Sequence, residues 1–234
     1  MQHITPWALA VIAIIGALSA GSPSAANQLA NAGFESGAAL GNPPAPGATG
    51  WMTFGNANTV SANLDPVRTG VGSLQLVGSG SFSVPGAFQT FPASPGQIWD
   101  LQGYMLTENA LPPDTTFGLL KIVWSNGTTD LPPSTILIGQ AAPVANPGVE
   151  SLPFLNSTST PNTWHFTQAR GVAPPGTTQV SFFALFVDQS PGTGYFDDLQ
   201  ATLIPEPSSL ALVSLGGVAL AGGLRRRQVR TPVR

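Results

Sequence analysis

Between residues 27 and 204 the chain is divided into short runs of β-branched and aromatic residues, separated by clusters of Pro, Gly, Asn and Asp. No amphipathic helical stretch interrupts this pattern. Punctuation of this kind restricts the chain to an antiparallel, all-β architecture, because each run is long enough to cross a small core only once. The predicted strands are 50–54, 59–62, 73–77, 87–91, 98–107, 117–124, 135–138, 164–169, 179–187 and 195–203. Residues 41–50 and 141–161 are the longest irregular stretches. Neither reads as a domain linker, since strand patterns on both sides must pair to close one core, and there is no internal repeat. One β-sandwich domain over residues 27–204 is the expectation.

Composition narrows the partners. Residues 27–204 carry ten acidic side chains against three basic ones, Arg68, Lys121 and Arg170, a formal charge of about −7. Nothing in such a surface neutralises phosphates, which excludes a nucleic-acid role. There is no Cys in the 234 residues, so core packing or a metal must supply what disulfides would.

The two ends carry their own signals. Residues 7–20 form an apolar run of signal-peptide length, and Ser24, Ala25 and Ala26 are small residues suited to cleavage before Asn27. The segment before the run departs from the usual pattern in having no Lys or Arg. At the other end Pro205, Glu206 and Pro207 lead into an uncharged stretch, 208–224, of the length and composition of a short membrane-crossing helix. Arg225, Arg226 and Arg227 then form a cationic stop that favours the cytoplasmic side. This three-part tail, residues 205–234, resembles the PEP-CTERM sorting signal of bacteria that make extracellular polysaccharide. The resemblance implies recognition by an exosortase, cleavage near the triplet, and delivery to the cell envelope or extracellular matrix after transient anchoring.

A second resemblance lies in the order of short words. Asn31-Ala32-Gly33-Phe34-Glu35-Ser36-Gly37 is followed by Gly50-Trp51, Gly70-Val71-Gly72-Ser73-Leu74-Gln75-Leu76, Gln89-Thr90-Phe91 and Pro95-Gly96-Gln97. Trp164, Pro175-Gly176-Thr177 and Phe196-Asp197-Asp198-Leu199 complete the series. Together they are similar to the galactose-binding-like jelly roll of carbohydrate-binding modules. That likeness implies a structural Ca2+ where the first and last strands meet, held by Glu35 and Asp197 with Asp198 as the other candidate. The donor chemistry is suitable, since Ca2+ takes six to eight oxygens from carboxylates and carbonyls. Strict alternation in 195–203 places Asp197 on the face of Leu199, Ala201 and Leu203, where a lone carboxylate is costly and a cation would offset it. The alternative is that Asp197 and Asp198 only cap a turn.

For ligand binding the strand beginning at Ile98 stands out. Trp99, Leu101, Gly103 and Met105 alternate with Asp100, Gln102 and Tyr104, so one face is apolar and the other combines hydrogen-bonding groups with an aromatic ring. Sugars are recognised by that mixture. Trp124 or Lys121 could join, although only one of them can point to a given face. Trp51, Trp99 and Trp164 read as core.

Enzyme signatures are missing. The exported part has one His, His165, and no Cys to pair with it; nucleophile elbow, HExxH and P-loop are absent. The sequence therefore reads as an exported, non-catalytic β-sandwich that binds polysaccharide, with a structural or adhesion protein of the matrix as the alternative.

Overall fold

The computed structural model describes residues 26–35, 50–61, 66–113 and 116–205. The signal peptide, Glu206, Pro207 and Arg225 to Arg227 lie outside the described residues. No helix among the described residues is long and apolar enough to cross a membrane.

Thirteen strands form two antiparallel sheets, and the described residues contain no α-helix. In chain order the strands are β1 (Met52–Phe54), β2 (Ala57–Ser61), β3 (Gly72–Val77), β4 (Gly86–Pro92), β5 (Ile98–Leu106), β6 (Phe117–Ser125) and β7 (Asp130–Leu131). They continue as β8 (Thr135–Ile138), β9 (Gln140–Ala141), β10 (Val149–Glu150), β11 (His165–Val172), β12 (Gln179–Val187) and β13 (Thr193–Ile204). The larger sheet runs β1-β4-β12-β6-β10-β9, with β7 added to β6; the smaller runs β2-β3-β13-β5-β11-β8.

Alternation decides what lies between the sheets. Leu120, Ile122 and Trp124 of β6 and Val180, Phe182, Ala184 and Phe186 of β12 point inward from the larger sheet. Trp99, Leu101 and Met105 of β5 meet them from the smaller one, with Trp99 and Phe182 in tilted contact at 5.3 Å between ring centroids. Trp51 joins this core, packed on Phe34 with ring centroids 5.1 Å apart, whereas Trp164, expected in the core, remains half-buried at the entry to β11.

Two features depart from the pattern expected from sequence. The first is in the irregular stretch 141–161, where β10 pairs with β6, Leu152 then bridges Gln168 of β11, and Leu155 returns to Gly118 of β6. This segment stitches one edge of the two sheets together. The second is a bulge in β13. Asp197 lies opposite Tyr104, but Gln200 lies opposite Gln102, and Asp198 between them adopts a left-handed φ of 50°. The bulge reverses the alternation, so Asp197 shares the outer face with Tyr104, and Leu199, Ala201 and Leu203 face the core.

The first described residues are tied to the last strand, β13. Asn27 donates through Nδ2 to the Leu199 carbonyl at 2.9 Å and accepts the Ala201 N–H through Oδ1, also at 2.9 Å. Gln28 N–H donates to the Ala201 carbonyl.

Candidate functional site

The outer face of the smaller sheet carries Asp100, Gln102 and Tyr104 as alternation requires, but these side chains are engaged with their neighbours. Asp100 is buried, accepting Arg170 Nε at 3.0 Å and Gln168 Nε2 at 2.8 Å. Gln102 donates to Gln200 at 2.6 Å. The Tyr104 ring is covered by Arg68, whose guanidinium carbon lies 3.5 Å from the ring centroid, and Phe166 contacts it edge-on. The ring that was to stack a sugar already stacks a guanidinium. Trp124 belongs to the core with no accessible surface and cannot serve as a platform.

The opposite face of the molecule is different in kind. On the outer side of the larger sheet, Phe88 of β4, Phe183 of β12, Lys121 of β6 and Glu150 of β10 stand in direct cross-strand register. Three inter-strand spacings make this row roughly 14 Å long. Phe183 stacks on Phe88 with centroids 5.0 Å apart and an interplanar angle of 20°, and Phe54 leans against Phe88. A groove of about 480 Å³ takes in Phe183, Lys121 and Glu150 of the row, with Phe88 stacked behind Phe183, and is lined also by Phe54, Phe82 and Phe117 among others. Aromatic rings therefore occupy one side and charged groups the other.

Lys121 is the unusual member. Only 7% of it is exposed, and its ammonium donates to the Asn146 carbonyl at 2.7 Å, which ties the 143–147 turn over the strand. Burial pushes its pKa below the ordinary 10.5, while the carboxylates of Glu150 and Asp130 pull it back up. Both carboxylates line the same groove. Sequence did not single out this groove, since its members come from separate strands and a loop.

The predicted metal residues do converge in part. Glu35 Oε1 and Asp197 Oδ1 lie 3.3 and 3.7 Å from the point where a Cβ on Gly33 would stand, so the absence of a side chain there lets the two carboxyls approach. The second Glu35 oxygen accepts Val71 N–H at 2.6 Å, and Asp197 Oδ2 accepts the N–H groups of Arg68 and Thr69 at 2.8 and 3.2 Å. The loop carrying these donors, rather than the sheet interior, is what buries Asp197. Burial raises its pKa to about 6 against the three backbone N–H groups, including that of Asp198, that favour the anion. Asp198 turns away to pair with Arg68 and to accept the Thr69 hydroxyl at 2.6 Å. Among the described residues no three acidic or imidazole side chains form a ready-made metal cage. Glu35 Oε1 and Asp197 Oδ1 are carboxylate oxygens of the type Ca2+ takes, two of the six to eight donors it needs.

No protein-family model matches this sequence, and no curated protein matches it. Solved structures do resemble the fold. An arabinose-bound α-L-arabinofuranosidase of glycoside hydrolase family 51 is similar over 76% of this chain and 26% of that one, at 17% identity and TM-score 0.51. A family 61 carbohydrate-binding module in complex with β-1,4-galactotriose is similar over 76% of this chain and 99% of that one, at 15% identity and TM-score 0.49. The xylan-binding domain of family 22 from a Paenibacillus barcinonensis protein is similar over 74% of this chain and 92% of that one, at 12% identity and TM-score 0.46. The neighbours include carbohydrate-binding modules, and the shared feature is the β-sandwich.

Proposed function

We propose that this chain is an exported, non-catalytic β-sandwich that binds a neutral polysaccharide in the groove on the outer face of its larger sheet. The observation that carries this reading is the row of Phe88, Phe183, Lys121 and Glu150 in cross-strand register. A sugar ring laid along it meets apolar faces at one end and hydrogen-bonding groups at the other, the two halves of carbohydrate recognition. The charge of the groove selects further. Lys121 is opposed by Glu150 and Asp130, so an anionic glycan gains no net attraction, and the surrounding domain repels it.

Affinity electrophoresis through gels containing galactan, xylan or alginate tests the reading. Retardation by a neutral glycan without release of new reducing ends supports it; free migration in all three gels counts against it. The alternative, a structural or adhesion protein, is the reading for a flat face of interlocked polar side chains, and the smaller sheet presents such a face.

Export and sorting complete the proposal. The PEP-CTERM-like tail from Pro205 onward would be handled by an exosortase after the C-terminal helix arrests in the membrane, leaving the sandwich in the envelope or extracellular matrix. Ca2+ held by Glu35 and Asp197 would fasten the first described segment to β13, with Asp198 kept for Arg68.

A further inference from the structure

We propose that Phe82 is a fixed apolar platform for a bound sugar at one end of the groove, and that Asp188 is the residue that positions it. The inference rests on the glycan-binding reading above and adds a specificity element to the same site.

Phe82 sits in the turn between β3 and β4 and leaves 71% of its surface exposed, yet it lines one end of the groove, beyond Val187 on the face that also carries Leu185 and Phe183. A phenyl ring this open to water on a turn gains nothing from the fold itself, whereas a ligand placed against it would bury it. Mobility would blunt such a ring, but the turn is fixed. Ser83 and Asp188 exchange backbone hydrogen bonds at 3.1 and 3.0 Å. The Ser83 hydroxyl donates to Asp188 Oδ1, and Gly80 N–H donates to Oδ2 at 3.2 Å.

Asp188 itself is fully buried, directly after the groove residue Val187. Gly78 runs so close to its carboxylate that any side chain at that position would collide with it. Gly78 N–H is in turn held by the Gly192 carbonyl at 2.8 Å. One carboxylate thus grips the turn on both sides of Phe82 and fixes the ring before ligand arrives, which lowers the ordering cost of binding. The ligand this suits has an apolar C–H face to lay against the ring: a neutral glycan chain that runs along the groove, with one pyranose unit on Phe82.

Isothermal titration with β-1,4-galactotriose and with xylohexaose tests the assignment. Phe82→Ala is expected to weaken binding of whichever probe the wild-type protein takes by about tenfold, with an unchanged melting temperature, and Phe82→Trp to restore it. Asp188→Asn is expected to weaken binding as well. The double variant Phe82→Ala/Asp188→Asn should bind no worse than Phe82→Ala alone, because Asp188 acts through the ring. If Asp188→Asn does not fold, Ser83→Ala removes a single donor from the same grip and takes its place in the cycle. Wild-type affinity in Phe82→Ala, or independent losses that multiply in the double variant, would overturn the Phe82 platform while leaving the groove intact. Failure of the wild-type protein to bind either probe or the gel-borne glycans would overturn the groove and the platform together.

Discussion

Lys121 and Trp124 lie three residues apart on β6 and point to opposite sides of one sheet. Trp124 is locked in the core with no exposed surface, whereas Lys121 faces the groove, directly across from Phe183 on one neighbouring strand and Glu150 on the other. The division of labour between sandwich interior and ligand surface is written in that parity.

It follows that substitutions at the two positions fail in different ways. Trp124→Ala should cost about 3 to 5 kcal/mol of stability by opening a cavity in the core. Lys121→Met should keep the fold, since the thioether replaces the stem, at a cost of about 1 to 3 kcal/mol for the lost hydrogen bond to the Asn146 carbonyl, and should lose retention by a neutral glycan. Chemical denaturation and affinity electrophoresis on the same two proteins separate the effects.

Much of the fold was legible in the sequence because the alternation was clean. The bounds of β8 and β12 match those predicted, 135–138 and 179–187, since Val180, Phe182, Ala184 and Phe186 repeat with period two inside a run closed by turn residues. The strands β7, β9 and β10 were missed because two residues have no period. On β6 every position from Leu119 to Trp124 except Lys121 is apolar, so the facing of the strand rested on that one charge.

The site was less legible for a related reason. Asp100, Gln102 and Tyr104 were placed on the correct face, but a strand considered alone does not reveal Arg170, Gln168, Gln200 and Arg68 beside it. The bulge at Asp198 broke the one assumption, strict alternation, on which the facing of Asp197 depended. Its burial was nonetheless anticipated, and the 66–71 loop provides it.

Asp197 gives a pH dependence of defined sign. Its folded pKa, raised to about 6 by burial, lies above the ordinary value of 3.8, so the folded chain holds the proton more tightly than the unfolded one. The stability this contributes is fully present below about pH 4 and is lost as pH rises through about 6, amounting to roughly 1 to 3 kcal/mol. In chelator, the difference in melting temperature between wild type and Asp197→Ala should therefore shift in favour of Asp197→Ala from pH 4 to pH 7. A difference independent of pH would contradict the assignment.

Calcium should act at the same place with the opposite preference. A cation between Glu35 and Asp197 stabilises the ionised carboxylates, so added Ca2+ is expected to raise the melting temperature at pH 7 and chelator to lower it. Gly70→Ala should abolish the response, because a Cβ at this left-handed position, φ 68°, would collide with the Glu35 carboxylate. An unchanged melt with and without Ca2+ would remove the metal from the account.

Processing is read from the ends of the native protein. Mass spectrometry of material taken from the cell surface should find Asn27 as the first residue and no peptide from the arginine-rich tail beyond residue 224. Intact ends on cytosolic protein would contradict the export and sorting proposal.

Asp100 provides a control for the other face. Asp100→Ala leaves Arg170 without its carboxylate partner and removes the acceptor for Gln168, at a cost of about 1 to 3 kcal/mol. Glycan retention by the folded fraction should not change.

The most direct measurement is the retardation of Phe183→Ala and Asp100→Asn beside wild type in a gel of the neutral glycan that wild type binds. Loss of retardation in Phe183→Ala with full retardation in Asp100→Asn is the predicted result. Full retardation in Phe183→Ala with loss in Asp100→Asn would move the binding surface to the smaller sheet and contradict the groove.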